Sequence, residues 1–454
     1  MQYDFVNINK KSAVPLYQQV YQCIRKAVES GHLPNGSKLP SIRKLSEDLA
    51  LSRTTVESAY QQLCVEGFIA SKPQSGYYVH IDSPLVVKRN SIVNTSVVSG
   101  IKPKIRYDLS SDSIDSESAD IRRWRSHIRD VLNKHSAIIS YGEAQGEMAL
   151  RQALSVYSYA LRAVSCSAKH ILIGAGTQAL LYVLCGLIRS FGNTIAMEKG
   201  GFSKAEQVFT DSGFQVVYTD GLDIHTLEKN HIRIFFVNPS ENLTTGQPMK
   251  MNQRYELLRW AEQTGSIIIE DDYNGELRYT SHPLPALQGM NSERVVYMGS
   301  FSKLLLPSVR IGYMVLPEIL LNVYSRKADR YHQTASKIEQ LALASYINAG
   351  HLDRQLRRLR KIYAEKSRIL MESLKNAFGR EASVILHENS LCITLTLPDN
   401  GTDMVRSALD REVKITHISG DNPNQYILRL GFAGIPANDI ESAVAILRQI
   451  YFCS

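Results

Sequence analysis

The chain predicts a small helical head followed by a large α/β domain with a mostly parallel central sheet. Two observations predict it. Residues 1–80 carry three helical patterns and a hairpin signal. Residues 107–454 alternate helical patterns with short apolar runs: HILIG, NTIAM, RIFFVNP, SIIIEDD and RVVYMGS. That alternation is the pattern of strands joined by helices, where each crossover brings the chain back to start the next strand in the same direction. Between the two parts, IDSPLVVKRNSIVNTSVVSGIKPKIR over 81–106 is rich in Ser, Asn, Val and Pro, has no period, and predicts a linker. At 454 residues the chain is long enough for two or three domains.

Composition narrows the class. A hydrophobic fraction of 44% and a charged fraction of 21% predict a soluble protein with a sizeable core. No apolar run approaches the ~20 residues that span a bilayer. The start, MQYDFVNINKK, lacks the basic-then-apolar pattern of a signal peptide. A cytoplasmic location is the expectation. The six cysteines (Cys23, Cys64, Cys166, Cys185, Cys392 and Cys453) form no C-x-x-C pair, which predicts reduced thiols and no metal site. A net charge of +8 permits a polyanionic partner without requiring one.

In the head, the first helix is predicted from Pro15 to Ser30, with Leu16, Val20, Cys23, Ile24 and Ala27 on one face and Gly31 ending it. Ser41 is a good N-cap for a short second helix, IRKLSEDLA. A third starts at Ser52, buries Val56, Ala59, Tyr60 and Leu63, and closes at Gly67. A hairpin follows, with Phe68-Ile69 and Tyr77–Val79 flanking a turn at Pro73–Gly76. Three helices and a hairpin make a winged helix-turn-helix, whose third helix lies in the DNA major groove. Ser52, Arg53, Thr54 and Thr55 stand at that helix's exposed start. Arginine contacts guanine through two hydrogen bonds, and hydroxyls reach phosphates or base edges. Arg43 and Lys44 on the second helix, with Lys72 and Gly76 in the wing, are the expected backbone contacts. Charge alone argues weakly, since residues 1–80 hold nine Lys/Arg against six Asp/Glu.

The motifs argue more strongly. PLYQQ, GHLPNGSKLPSIRKL, SRTTVESAYQQL and EGF follow one another over residues 15–68. The head thereby resembles the GntR class of bacterial regulators. The wing departs from that class: its usual Gly-Ser-Gly-Thr stands here as Gln74-Ser75-Gly76-Tyr77.

The chemistry of the large domain concentrates in SIIIEDDYNGELRY and RVVYMGSFSKLLLPSVRIGY, each with polar residues just after an apolar strand. Ligands gather at such strand ends in open parallel sheets. A lysine among hydroxyls with an arginine downstream suits pyridoxal phosphate. The amine forms a Schiff base with the aldehyde. A carboxylate keeps the pyridine nitrogen protonated. Hydroxyls, a guanidinium and a helix N-terminus hold the phosphate. Lys303 is the candidate for the Schiff base and Asp271 for the ring nitrogen. Ser300, Ser302 and Arg310 are candidates for the phosphate. Ala175, Gly176 and Thr177 open an apolar helix in GAGTQALLYVLCGLIRS, and Tyr273 is placed to bond the ring oxygen.

Taken in order, Glu270-Asp271-Asp272-Tyr273, Gly299-Ser300-Phe301-Ser302-Lys303 and Arg310-Ile311-Gly312-Tyr313 resemble the fold-type I aminotransferases, and specifically the MocR subgroup of GntR regulators. YGEAQGEMALRQAL matches the subgroup upstream. The resemblance implies a homodimer in which Tyr141 reaches the phosphate held by the partner subunit. It implies that Phe202, after Gly200-Gly201, stacks on the ring. It implies that Arg429, in ILRLGFAG, grips an effector's carboxylate with its two-pronged fork. Departures are visible too. Leu243 replaces the asparagine that bonds the ring oxygen in aminotransferases, and Ser240-Glu241-Asn242 stands where the subgroup has Ser-His-Gln. These changes weigh against efficient turnover more than against cofactor binding. The segment HLDRQLRRLRKIYAEKSRIL is basic and helical, so it either lies against DNA or packs through its Leu352, Leu356, Leu359 and Tyr363 stripe.

The expected function is a DNA-binding transcription regulator in which pyridoxal phosphate, or an amino compound forming an aldimine with it, modulates binding to two half-sites. A linker of about 25 residues reaches ~80 Å at full extension, enough to carry each head across a dimer. The alternatives are a working aminotransferase with a DNA-binding head, and a cofactor-free relic. The retained Lys303, Asp271 and Arg310 argue against the last.

Overall fold

The computed structural model describes residues 6, 8–10, 12, 14–80, 104–111, 113, 115, 117–199, 202–242, 247–272, 275–279, 284–306, 308–386, 390–418, 422 and 424–452. The chain forms two compact units, Met1–Ile101 and Lys102–Ser454. Most of the expected linker, residues 81–103, lies outside the described residues. Its last residue already belongs to the large unit, because the Arg106 amide donates to the Glu412 carbonyl at 2.8 Å.

In the head, α1 (Leu16–Glu29) buries Val20, Tyr21, Ile24, Ala27 and Val28. The predicted face is therefore right in register, with Leu16 and Cys23 at its half-buried edge. Helix α2 (Ile42–Asp48) starts where Ser41 accepts a hydrogen bond from the Lys44 amide. Helix α3 (Arg53–Val65) starts the same way, with Ser52 accepting from the Thr55 amide, and buries Val56, Ala59, Tyr60 and Leu63 as its spacing predicts. Strands β1 (Ile69–Lys72) and β2 (Gly76–Val79) pair antiparallel as the wing. Tyr60 locks the core to the turn before α2 by donating to the Pro40 carbonyl at 3.0 Å.

The large unit is built on a seven-stranded sheet. Its strands are β3 (Ile171–Gly174), β4 (Thr194–Glu198), β5 (Gln215–Thr219), β6 (Ile234–Val237), β7 (Ile267–Asp271), β8 (Val295–Ser300) and β9 (Gly312–Val315). In space they run β3-β9-β8-β7-β6-β4-β5, and only β9 is antiparallel to its neighbours. All five apolar runs singled out in the sequence are strands of this sheet. They are apolar throughout because helices cover both faces.

Side chains alternate along a strand, and the clusters record it. Leu172, Ile267, Ile269, Val296, Met298 and Met314 pack on one side, against Leu180, Leu181 and Leu184 of α5 (Thr177–Ile188). Ile268 and Val295 point the other way, into a cluster with Trp260. Helix α4 (Met148–Arg162) lies in a third cluster that runs into the C-terminal part of the chain. There a four-stranded antiparallel sheet is ordered β10 (Ser383–Leu386), β11 (Cys392–Pro398), β13 (Gln425–Gly431) and β12 (Thr416–Ile418). It packs with α6 (His351–Phe378), on which Leu352, Leu356, Leu359 and Tyr363 are at most 2% exposed. The leucine stripe of the basic segment is thus a packing face. Among the described residues no helix is long and apolar enough to cross a membrane.

Capping of α2 gives a direct test. Ser41→Ala removes the acceptor for the Lys44 amide and is expected to destabilise the head by about 1 kcal/mol. Faster hydrogen–deuterium exchange across residues 42–48 of the full-length protein is the readout.

Candidate functional site

Strand register brings the site together. Gly174 pairs with Gly312, Gly312 pairs with Ser300, and Asp271 pairs with Met298. The C-terminal ends of β3, β7 and β8 therefore meet the N-terminal end of β9 at one edge of the sheet. Asp271 continues the Ile267–Ile269 alternation, so it faces the side covered by α5. Ser300 continues the Val296–Met298 alternation to that same side.

The turn from β3 into α5 closes over this edge. Gly176 has φ +84, and a Cβ there would stand 3.3 Å from the Arg310 guanidinium. The arginine and the turn are therefore in contact, and the turn needs glycine for both its conformation and its closeness. Gly312 lies beneath it, where a Cβ would meet the Gly176 Cα at 3.2 Å. Thr177 opens the helix with no side chain capping its first amides. The Ser300 and Ser302 hydroxyls lie 3.0 Å apart. Arg310 is exposed, and among the described residues no ion pair or hydrogen bond engages it. Hydroxyls, a guanidinium and a helix start thus converge, which is the chemistry that holds a phosphate dianion. Ala175 lies in the same turn. Its amide donates to the Thr334 hydroxyl at 2.9 Å, so Thr334 is a neighbour of the turn that no sequence signal marked.

Lys303 follows β8 by three residues and donates to the Ser113 carbonyl at 3.1 Å. Asp271 is 8% exposed, and among the described residues no hydrogen bond reaches its carboxylate. Burial, with the charge of Asp272 adding to it, pushes its carboxyl up to about 7. A buried acid short of a cation is the observation that tests for a cofactor here, and a protonated ring nitrogen is the group that would satisfy it. The residues present therefore fit pyridoxal phosphate.

Asp272 is occupied otherwise. Its carboxylate pairs with Arg162 at 2.6 Å, with side-chain exposures of 0% and 1%. It also accepts from Ser240 at 3.0 Å and Tyr297 at 2.8 Å. Gly275 makes room, since a Cβ there would stand 2.1 Å from the Asp272 carboxylate. Glu270 accepts from the Leu287 and Gln288 amides at 2.9 and 3.0 Å. Of the three consecutive acids only Asp271 is left for a ligand.

The other candidates are placed as follows. Tyr141 is fully exposed at 103%. Phe202 is half-buried against the cluster under α5, and its neighbours Gly200-Gly201 lie outside the described residues. Tyr273 and Leu243 lie outside them too. Arg429, on β13, already holds a carboxylate: its guanidinium donates to Glu241, and at 3.3 Å to the Ser390 hydroxyl. In the head, Arg53 and Thr54 are exposed at the start of α3, as is Lys44 on α2. The Ser52 hydroxyl is engaged by Thr54 at 2.9 Å and Thr55 at 2.7 Å. Its work is capping, and Arg53 beside it is left exposed. Arg43 pairs with Glu47 at 3.0 Å. Lys72 lies 4.7 Å from the centre of the Tyr78 ring, and Gly76 turns the wing at φ +109.

Two families match the chain. Residues 16–79 match the family of bacterial regulatory proteins, gntR family, and residues 106–447 match aminotransferase class I and II. The regulator YdeL of Bacillus subtilis, an uncharacterised HTH-type transcriptional regulator, is 34% identical over 98% of both chains. The probable rhizopine catabolism regulatory protein MocR of Rhizobium meliloti is 28% identical over 98% of this chain and 95% of its own. The chain belongs to the MocR-type GntR regulators. Among solved structures, a kynurenine aminotransferase from Pyrococcus horikoshii covers 77% of the chain and 90% of its own, with TM-score 0.65 and 23% identity. A MocR-type regulator thus carries the fold of an aminotransferase behind a GntR head, and pyridoxal phosphate is the cofactor of that aminotransferase family.

The position of Asp271 has a pH signature. Without cofactor, the folded state keeps a proton to about 7 that the unfolded chain releases near the usual carboxylate value of about 4. Stability contributed at this site is therefore highest below pH 4 and falls as pH rises to 7. In cofactor-free protein, Asp271→Asn is expected to raise the thermal midpoint relative to wild type at pH 8, with little difference at pH 4.5. An equal difference at both pH values would show a normally ionising carboxyl.

Proposed function

We propose that this regulator binds operator DNA through paired heads and senses an amino compound at a pyridoxal phosphate site in the large domain. The single observation that carries the sensing half is Asp271, a buried carboxylate short of a cation beside a phosphate-fitting turn. When bound, pyridoxal phosphate supplies an aldehyde that captures primary amines and a ring that absorbs visible light. Lys303 would hold that aldehyde, and Asp271 would keep the ring nitrogen protonated. Ser300, Ser302, Arg310, Gly176 and Thr177 would hold the phosphate. Phe202 would cover the ring, and Tyr273 would bond its oxygen.

A dimer is part of the proposal. Tyr141 is fully exposed, and Ile138, Ile139, Val156 and Tyr159 nearby in sequence are exposed at 41–71%. Such apolar exposure marks an interaction surface, and Tyr141 would complete the phosphate site of the other protomer. Two heads would then read two half-sites. A regulatory role, with sensing in place of turnover, is favoured by the head. DNA reading has no part in transamination, whereas a ligand that binds two arrangements unequally shifts the heads on DNA.

Purified protein given pyridoxal phosphate is expected to turn yellow. Borohydride reduction and digestion should then tag the peptide bearing Lys303, and Lys303→Ala should abolish both signals. Repeated turnover of an amino acid with a keto acid would favour the enzyme reading. On DNA, Arg53→Ala is expected to weaken operator binding by roughly 1–3 kcal/mol and relax base preference at one position of each half-site. Unchanged affinity in a mobility-shift titration would remove Arg53 from the base readers.

A further inference from the structure

The Arg429–Glu241 pair is built into the frame. Arg429 lies in mid-strand on β13, with Thr394 and Thr416 on either side in register. Glu241 follows β6 in a tight turn, where the Ser240 and Glu241 amides both donate to the Asn238 side chain, at 3.0 and 3.1 Å. Ser240 is in turn held by Asp272. The Glu241 side chain is 1% exposed and that of Arg429 14%.

The pair also borders the cofactor site. Lys303 donates to the Ser113 carbonyl, and the Ser113 hydroxyl accepts from the Gly434 amide just after β13. Burial pushes the Cys392 thiol up, and the charges of Arg429, Glu241 and Lys303 also act on it.

We infer that Glu241 takes the place of a ligand carboxylate at Arg429, so that the sensing site selects primary amines that lack an α-carboxylate. The inference rests on the cofactor reading above. Its physical basis is charge balance. Arg429 and Glu241 together are neutral. An incoming α-carboxylate either displaces Glu241, leaving a buried anion uncompensated, or shares the guanidinium with it, setting two anions side by side away from water. A simple amine does neither and leaves the pair intact. Selection here works by repelling the wrong ligand as much as by holding the right one.

The test uses full-length protein loaded with pyridoxal phosphate. Visible absorption is followed against matched pairs that differ by one carboxylate: phenethylamine and phenylalanine, isobutylamine and valine, 1,5-diaminopentane and lysine. Concentrations are compared as free amine, because the α-carboxylate lowers the amine's basicity. Wild type is expected to respond to each amine at concentrations at least tenfold below its amino acid. Glu241→Gln is expected to erase or reverse that ratio, chiefly through tighter amino acids. Wild type that prefers the amino acids overturns the inference alone, and needs no variant. A folded Glu241→Gln protein with an unchanged ratio does so too. Absence of cofactor absorption before any amine is added overturns the cofactor reading and the inference with it.

Discussion

Arg162 and Asp272 form a buried ion pair at the end of β7, and the site is arranged around it. Their charges are shielded from water almost completely. Desolvating two charges is costly unless every remaining donor and acceptor is matched. Here they are matched from several elements. Tyr297 on β8 and Ser240 after β6 bond to Asp272, while Arg162 at the end of α4 also donates to Ser240 and to the Leu284 carbonyl. The pair thus ties a helix, two strands and two loops. Because neighbouring side chains on a strand face opposite ways, anchoring Asp272 on one side presents Asp271 to the other.

The same anchor reaches a second part of the site through Ser240. The residue after it, Glu241, is carried to Arg429. The frame that turns Asp271 toward the side covered by α5 therefore also sets an acid against the arginine of β13. Electrostatically the region is under tension. Glu270 and Asp271 are both held up near 7, and Glu276 near 8, with burial as the leading cause in each. Buried acids of this kind lower stability at neutral pH, and functional sites are where such a cost persists.

In the head, adjacent residues at one helix start divide between capping and exposure. Ser52 is committed to capping α3, and Thr55 is half-buried beside it. Arg53 and Thr54 are left facing solvent at the same helix start. A helix whose first turn is stabilised by its own hydroxyl holds the next side chains in fixed directions, which is what reading a base edge requires.

Much was legible in the residues themselves. Periodicity and caps alone placed the three head helices and the wing. Apolar runs placed five strands, and motif order placed Asp271, Ser300, Ser302 and Lys303 at or just after the ends of two of them and Arg310 just before β9. These are local properties: a cap reaches three residues, and a strand's alternation repeats every two. The rest was decided by tertiary structure. The partner of Asp272 lies 110 residues away, that of Lys303 190, that of the Ala175 amide 159, and that of Arg429 188. No period or spacing connects such pairs, because the distance between them is set by how sheets and helices pack. The sequence by itself therefore determined which chemistry the strand ends carry, and only the folded chain decided that Arg429 meets an internal carboxylate.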